Sequence, residues 1–257
     1  MTGTTVLMLS YDGSGFAGFA RQPGLSTVQG EVEAALQTAL RREVLTVGAG
    51  RTDAGVHALG QAMSFPSMKA DPERRQLIRS LNALTPHAIT VTGVRYADPE
   101  FSARHSAVSR EYRYRIVPGS VPPLFIAPYV WSVPHALDLG AMREAATHII
   151  GEHDFRSFCV AESARGRRTI RRLDVIDVTP EIVLGEHSIT VRIVGNAFLH
   201  SMVRTIVGSL VEVGVGRHEP GWMAEALGAR ERAAAGQKAP ARGLTLWHVG
   251  YPDECWL

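Results

Sequence analysis

One short run carries more chemistry than any other stretch of the chain: Gly50-Arg51-Thr52-Asp53-Ala54-Gly55-Val56-His57-Ala58. Two glycines around a short run predict a tight turn that presents Arg51, Thr52 and Asp53 outward. An aspartate so placed has two readings. It caps its own backbone as an ordinary surface turn, or it offers a carboxylate as nucleophile or electrostatic stabiliser. The packed Arg-Thr-Asp-x-Gly-x-His pattern is more polar functionality than a turn requires, and it favours the second.

A working carboxylate must be ionised, and a buried one needs a cation or hydrogen bonds to stay so. Arg204 fits that need. It lies among Leu199, Met202, Val203, Ile206, Val207 and Leu210 on a helical stretch, where a charge requires either a partner or a route to water. Tyr112 and Tyr114 stand two residues apart on a strand and share one face, with Arg113 and Arg115 on the other. Residues 165–172, RGRRTIRR, are mostly arginine. They form either a solvated face or a track for phosphates. The run 148–153, HIIGEH, nearly spells HxxEH with one residue too many, so no metal site is expected there. No GxxxxGK[ST], GxSxG or GxGxxG signature is present.

The elements that must carry these residues alternate. Residues 4–11 read as a strand. A capping box at Ser26-Thr27-Val28-Gln29 opens a helix on which Val28, Val32, Leu36 and Leu40 recur every four residues. Strands near 44–48 and 61–65, a helix over 72–84 and a strand over 88–96 complete a β-α-β-β-α-β order, the split-βαβ or ferredoxin-like arrangement. The order then repeats with longer connections: strand 109–117, helix 137–150, strands 170–179 and 187–194, helices 198–214 and 221–230, and a strand near 244–250. Residues 231–242 are small and polar and predict a mobile loop. The expected fold is α+β, with two ferredoxin-like (RRM-like) βαββαβ halves, residues 1–105 and 106–257. The halves would share one extended, mainly antiparallel sheet with helices on one face.

Composition bounds the rest. The chain has 257 residues and a formal charge of +2, with 45% hydrophobic and 20% charged residues, an ordinary globular balance. No apolar run approaches the roughly 20 residues of a membrane span, and the first residues lack a basic leader segment. Cys159 and Cys255 form no CxxC pair, a usage expected of a reduced, cytoplasmic protein. Lys69 and Lys238 are the only lysines among 27 basic residues. Arginine suits phosphate and base-edge contacts better than lysine does.

The motifs together resemble the TruA-type tRNA pseudouridine synthases over about residues 5–252. The resemblance rests on Tyr11-Asp12-Gly13-Ser14-Gly15-Phe16 with Gln22, Thr27-Val28-Gln29-Gly30, the 50–58 run, Phe101-Ser102-Ala103-Arg104 and Arg110-Glu111-Tyr112-Arg113-Tyr114. It continues through Phe155-Arg156-Ser157-Phe158, residues 198–204 and Gly243-Leu244-Thr245-Leu246. It implies that Asp53 is the catalytic carboxylate and Arg204 its basic partner; Arg51 is a further catalytic candidate, the first arginine to serve the carboxylate should Arg204 not do so. Tyr112 would stack on the target uracil, Leu244 would wall the base pocket, and His57 would join the substrate-binding set. Phe19 stands where the family usually has tryptophan, and Ser201 where a larger polar residue is common. The resemblance further implies uridines 38, 39 and 40 of the tRNA anticodon arm as targets, no cofactor, and a homodimer. Arg165, Arg167, Arg168 and Arg171 would meet RNA phosphates. The first covalent step is open: attack at C1′, attack at C6, or a glycal route.

Two other classes stay on the table at this point. A non-catalytic RNA-binding protein of RRM-like halves would want an RNP1-type aromatic strand, which is missing, and would leave Arg51-Thr52-Asp53 without a purpose. An enzyme acting on a free nucleoside or sugar phosphate would leave the arginine track unexplained.

Overall fold

In the computed structural model, which describes residues 3–257, the aliphatic run at the start forms β1 (Thr4–Tyr11), with Val6, Leu7 and Leu9 buried. There follow α1 (Val28–Leu40), β2 (Val47–Gly48), β3 (His57–Pro66), α2 (Arg74–Leu84) and β4 (Ile89–Ala97). The chain continues through β5 (Ser109–Pro118), β6 (Trp131–Val133), α3 (Leu139–Thr147), β7 (Gly151–Asp154) and α4 (Ala161–Ala164). It ends with β8 (Ile170–Val183), β9 (Glu186–Gly195), α5 (Met202–Gly214), α6 (Trp222–Ala229) and β10 (Leu244–Gly250). The fold is α+β and mostly antiparallel.

Two units make up the chain: the residues up to Arg110 together with Thr245–Leu257, and Glu111–Leu244. The sequence places the division at 105/106 with everything after it in the second half. The chain instead changes unit inside β5 and returns at the start of β10. The reason lies in the C-terminal contacts. Thr245 pairs with His57 in parallel register, Val108 N–H donates to the Gly250 carbonyl, and the Phe101 ring packs against Tyr251 and Trp256.

Within the first unit the strands run β4-β1-β3-β10. β1 is antiparallel to both neighbours, with Thr4 opposite Pro66 and Ala97. β3 is paired at both ends: β2 meets it at Ser64 and Met63, while β10 meets it at His57 and Ala58. The gap between β2 and β3 is therefore one short connection, residues 49–56, and it holds the Asp53 turn. The expected strand at 61–65 begins four residues earlier, so His57 and Ala58 belong to a strand and not to the turn.

Within the second unit the order is β5-β9-β8-β7, and β6 runs parallel to the end of β5. β8 continues past the expected end at 179, with Pro180 opposite Ile189, to a two-residue hairpin turn at Leu184 (φ 50°) and Gly185 (φ 80°). Both central residues at positive φ match the twist of the flanking strands.

Three local expectations change. The cap of α1 is Thr27, whose side chain accepts from Gly30 N–H, while the Ser26 hydroxyl donates to Glu31. Gln29, expected to close the box, reaches the Thr46 carbonyl. The helix expected from 198 starts at Met202, because Ser201 sits at φ 60° and cannot continue a helix backwards. Residues 231–242, expected to be mobile, are packed: Ala235 and Ala239 are buried.

Candidate active site

The Asp53 turn is held both from within and from outside its own segment. Val56 N–H donates to the Asp53 carbonyl at 3.1 Å, and Gly55 takes φ 77°, which a side chain would resist. Phe19 N–H donates to the Thr52 carbonyl at 3.0 Å. A Cβ on Gly13 would lie 2.0 Å from the Val56 carbonyl oxygen, so only glycine lets the 11–16 segment approach the turn this closely.

Side chains alternate around the turn. Arg51 is exposed and Asp53 is half-buried. Thr52, expected to point outward, is buried, and its hydroxyl shares a 2.7 Å hydrogen bond with the Tyr11 phenol. Gln61 donates to the Gly50 carbonyl at 2.9 Å and to the Tyr11 oxygen at 3.4 Å. Burial pushes the Tyr11 phenol up to about 12, against the opposing effect of its bonds to Thr52 and Gln61. It stays neutral at any working pH. Arg110 is buried and donates to the carbonyls of Ala49, Arg104 and Ala107, holding the strand that enters the turn. The Phe19 ring fills the space over Gly48, where a Cβ would come within 2.3 Å, and stacks on Tyr11 at 6.5 Å.

His57 is buried beneath the turn. Its Nδ1 lies 3.2 Å from Gly13 N and 3.2 Å from Asp12 Oδ1. That contact ties β3 to the 11–16 segment.

In the second unit, Arg204 rises from α5 and donates through Nε to the Ala239 carbonyl at 2.8 Å, while Ala239 N–H donates back to the Arg204 carbonyl. Residues 235–243 lie along α5. Gly236 N–H donates to Ser209 Oγ and Gln237 N–H to Glu212 Oε1. This strap fits only because residue 208 is glycine: a Cβ there would sit 1.7 Å from the Gln237 carbonyl oxygen. Tyr114 is fully buried; its hydroxyl donates to the Pro240 carbonyl at 2.8 Å and its ring packs on Gly243. Burial holds its phenol well above the ordinary range, against the pull of Arg204 and Arg242. Leu244, also buried, follows directly. Tyr112 is buried edge-on to Phe198 at 5.0 Å.

The arginine run divides. Arg165, Arg167 and Arg168 are exposed. Arg171, expected to face RNA with them, is the second residue of β8 and donates to the Arg168 and Ile170 carbonyls. It braces the segment that displays the other three. The sequence reading assigned no part to Tyr11, Gln61, Arg110 or the strap. Tyr11 and Arg110 lie inside motifs already singled out; Gln61 and Ala239 carry no local signal.

Among the described residues no helix is long and apolar enough to cross a membrane, and no group of three or more His, Cys, Asp or Glu could hold a metal ion.

The family model described as tRNA pseudouridine synthase matches residues 145–252. The chain is 42% identical over 249 residues to tRNA pseudouridine synthase A of Bacillus licheniformis, covering 95% of this chain and 98% of that one. It is 44% identical over 254 residues to the protein of the same name from Frankia casuarinae, covering 96% and 89%. Among solved structures, a chain from the crystal structure of a Cbf5-Nop10-Gar1 complex aligns over 96% of this chain and 50% of its own, at 16% identity and a TM-score of 0.41. On the whole-length identities, the chain belongs to the tRNA pseudouridine synthase A family.

Proposed function

We propose that this chain, a tRNA pseudouridine synthase, converts uridine to pseudouridine at positions 38, 39 and 40 of the anticodon arm, without a cofactor and with Asp53 as its carboxylate. The observation that carries this is the braced turn. Thr52 and the backbone beside Asp53 are held by Tyr11, Gln61, Phe19 and Arg110 while Asp53 itself stays half-open. Rigid support under one accessible carboxylate suits a group that must meet a substrate atom in a set geometry.

The reaction rearranges one nucleotide. The uridine leaves its stack, and Tyr112 takes the face of the base. The C1′–N1 bond breaks while Asp53 attacks as nucleophile or stabilises the detached sugar. The base turns, C5 bonds to C1′, C5 gives up its proton and N1 takes one, so no atom is gained or lost. Arg204 serves as the basic partner of the Asp53 carboxylate, with its guanidinium oriented through Nε by the strap. Leu244 supplies an apolar wall. Arg51 is the second cation, on the same turn. His57, held by the 11–16 segment, completes the substrate-binding set. Arg165, Arg167 and Arg168 meet RNA phosphates, with Arg171 holding the loop beneath them.

The reading includes a cytoplasmic homodimer. Free Cys159 and Cys255 suit a reducing compartment. The dimer is supported by an exposed apolar patch: Val121, Leu124 and Phe125 on one loop, with Ile182 and Leu184 at the β8–β9 hairpin. Glu186 holds the two together by accepting from the N–H groups of Leu124, Phe125 and Ile126. Patches of this kind mark protein contacts.

The test is tritium release from tRNA labelled at uridine C5, in the absence of added cofactor or metal. Parent protein should release tritium and Asp53→Asn should lose turnover by several orders of magnitude, with tRNA affinity changed by less than about tenfold. Retained release by Asp53→Asn, purified free of host enzyme, would remove Asp53 from the mechanism.

A further inference from the structure

A second concave site lies in the Glu111–Leu244 unit, a cleft of about 440 Å³ between the loop after β7 and the end of α6. Arg156, Arg165, Arg230 and Arg232 line it, and three of these fall outside the arginine run. Ala161, Ala164 and Ala233 give it an apolar floor. Four arginines around one cleft concentrate positive charge there, and that charge attracts an anion.

The acids nearby offset this charge only in part. Asp154 reaches Arg156 only at 3.8 Å and Arg230 only at 4.0 Å, both beyond hydrogen-bond distance. Glu231 is the single acidic residue lining the cleft. Arg232 donates one nitrogen to the Ala235 carbonyl at 3.0 Å, which fixes its direction. Arg165 makes no side-chain hydrogen bond or ion pair among the described residues. Two backbone turns shape the mouth: Gly166 at φ 65° and Arg230 at φ 55°. Gly166 has open space around it, so its glycine answers the backbone angle and not crowding.

The volume lies within the roughly 300–1,000 Å³ of pockets that take organic ligands and exceeds what one phosphate fills. Planar guanidinium forks recognise phosphate oxygens and also stack on base faces. Alanine methyls offer an uncharged surface to a ribose or a base. Arg165 at the rim leads directly to exposed Arg167 and Arg168, so an RNA strand following that track passes over the mouth.

We infer that this cleft seats one nucleotide of the tRNA other than the target uridine, its phosphate among the four arginines and its ribose or base on the alanine floor. The inference rests on the reading of the chain as a tRNA enzyme and adds a binding site distinct from the Asp53 turn.

The experiment measures tRNA affinity against salt for the full-length protein and three variants. Arg230→Ala with Arg232→Ala should weaken binding by about tenfold and lower the salt slope by about one counterion. Arg230→Lys with Arg232→Lys should recover the slope and only part of the affinity, because lysine keeps the charge and loses the fork. Ala233→Glu changes an exposed residue, removes no contact, and puts a carboxylate in the cleft; it should weaken binding as the double alanine does. Unchanged affinity and slope in Ala233→Glu and the double alanine variant would overturn the site. Calorimetry with uridine 5′-monophosphate and with inorganic phosphate separates the ligand classes. The nucleotide should bind several-fold more tightly than phosphate in the parent, and that advantage should vanish in Ala233→Glu. Equal binding of the two would reduce the cleft to a bare anion site and overturn the nucleotide assignment. A parent that shows the cleft-dependent slope but releases no tritium would sink the proposed reaction and leave the cleft standing.

Discussion

Replacing Tyr11 by phenylalanine removes one oxygen from beneath the Asp53 turn and nothing else. That oxygen shares a 2.7 Å hydrogen bond with Thr52 and receives a longer one, 3.4 Å, from Gln61. The ring stays, still buried and stacked on Phe19, so the apolar contribution is unchanged. A buried hydrogen bond contributes about 1 kcal/mol net, and a partner left unsatisfied costs about 1–3 kcal/mol. Gln61 keeps its bond to the Gly50 carbonyl, but buried Thr52 loses its side-chain partner. The expected destabilisation is about 1–3 kcal/mol, or roughly 2–4 °C of melting temperature per kcal/mol. Turnover should fall further than stability suggests, because Thr52 precedes Asp53. If about 1.4–2.8 kcal/mol of positioning is lost in the transition state, kcat falls about 10–100-fold. The KM for tRNA should stay near its parent value, since phosphate contacts lie elsewhere. The assay is tritium release under saturating tRNA, beside a thermal melt, for Tyr11→Phe, Thr52→Val and the double variant. The two changes remove the same bond, so the double should cost less than the sum of the singles. Strict additivity, or a loss in KM with kcat intact, would refute the claim that this hydrogen bond positions the carboxylate.

Further outcomes follow from the same geometry. Under the proposed pairing of Arg204 with Asp53, Arg204→Leu combined with Asp53→Asn should destabilise by less than the summed single costs; additivity would leave Arg51 as the cation serving Asp53. Gly208→Ala gains about 1 kcal/mol of helix propensity but drives a Cβ into the Gln237 carbonyl at 1.7 Å. The strap must shift, so a net loss of about 1–3 kcal/mol in denaturant melts is expected, and a stabilised variant would show that the strap moves freely. Burial raises the Glu111 carboxyl, but the hydrogen bonds and charges of Arg192 and Arg113 outweigh burial and hold it below its ordinary range. Its stabilising contribution is therefore present above the unfolded value of about 4.3 and is lost as pH falls through the lower folded value. Glu111→Gln should flatten the acid limb of a melting-temperature profile below about pH 4.3; an unaltered limb would mean that these ion pairs add nothing to stability.

Much of the chain was legible before its coordinates. Apolar residues every four positions marked α1, and continuous or alternating runs marked β1, β4 and β5, because helical and strand periodicity are written into neighbouring residues. The Asp53 turn was legible too, since two glycines and a dense polar run are local features. Its interior was not. Thr52 turns inward to a tyrosine 41 residues away, and Gln61 reaches back across 11 residues to the Gly50 carbonyl. Gly13, in turn, lets the 11–16 backbone meet that of Val56. Arg204 was visible as a charge on an apolar helix, but its orientation comes from Ala239, a backbone carbonyl of a residue with no polar side chain to announce it. The same holds for β10, whose composition reads as a plain C-terminal strand and whose place beside β3 follows from long-range pairing. Periodicity and turn chemistry are properties of residues a few positions apart, so sequence alone decided the elements, their order and the reactive groups they carry. Which groups face one another depends on closing loops of tens of residues and on how closely backbones can approach, and only the tertiary structure decided that.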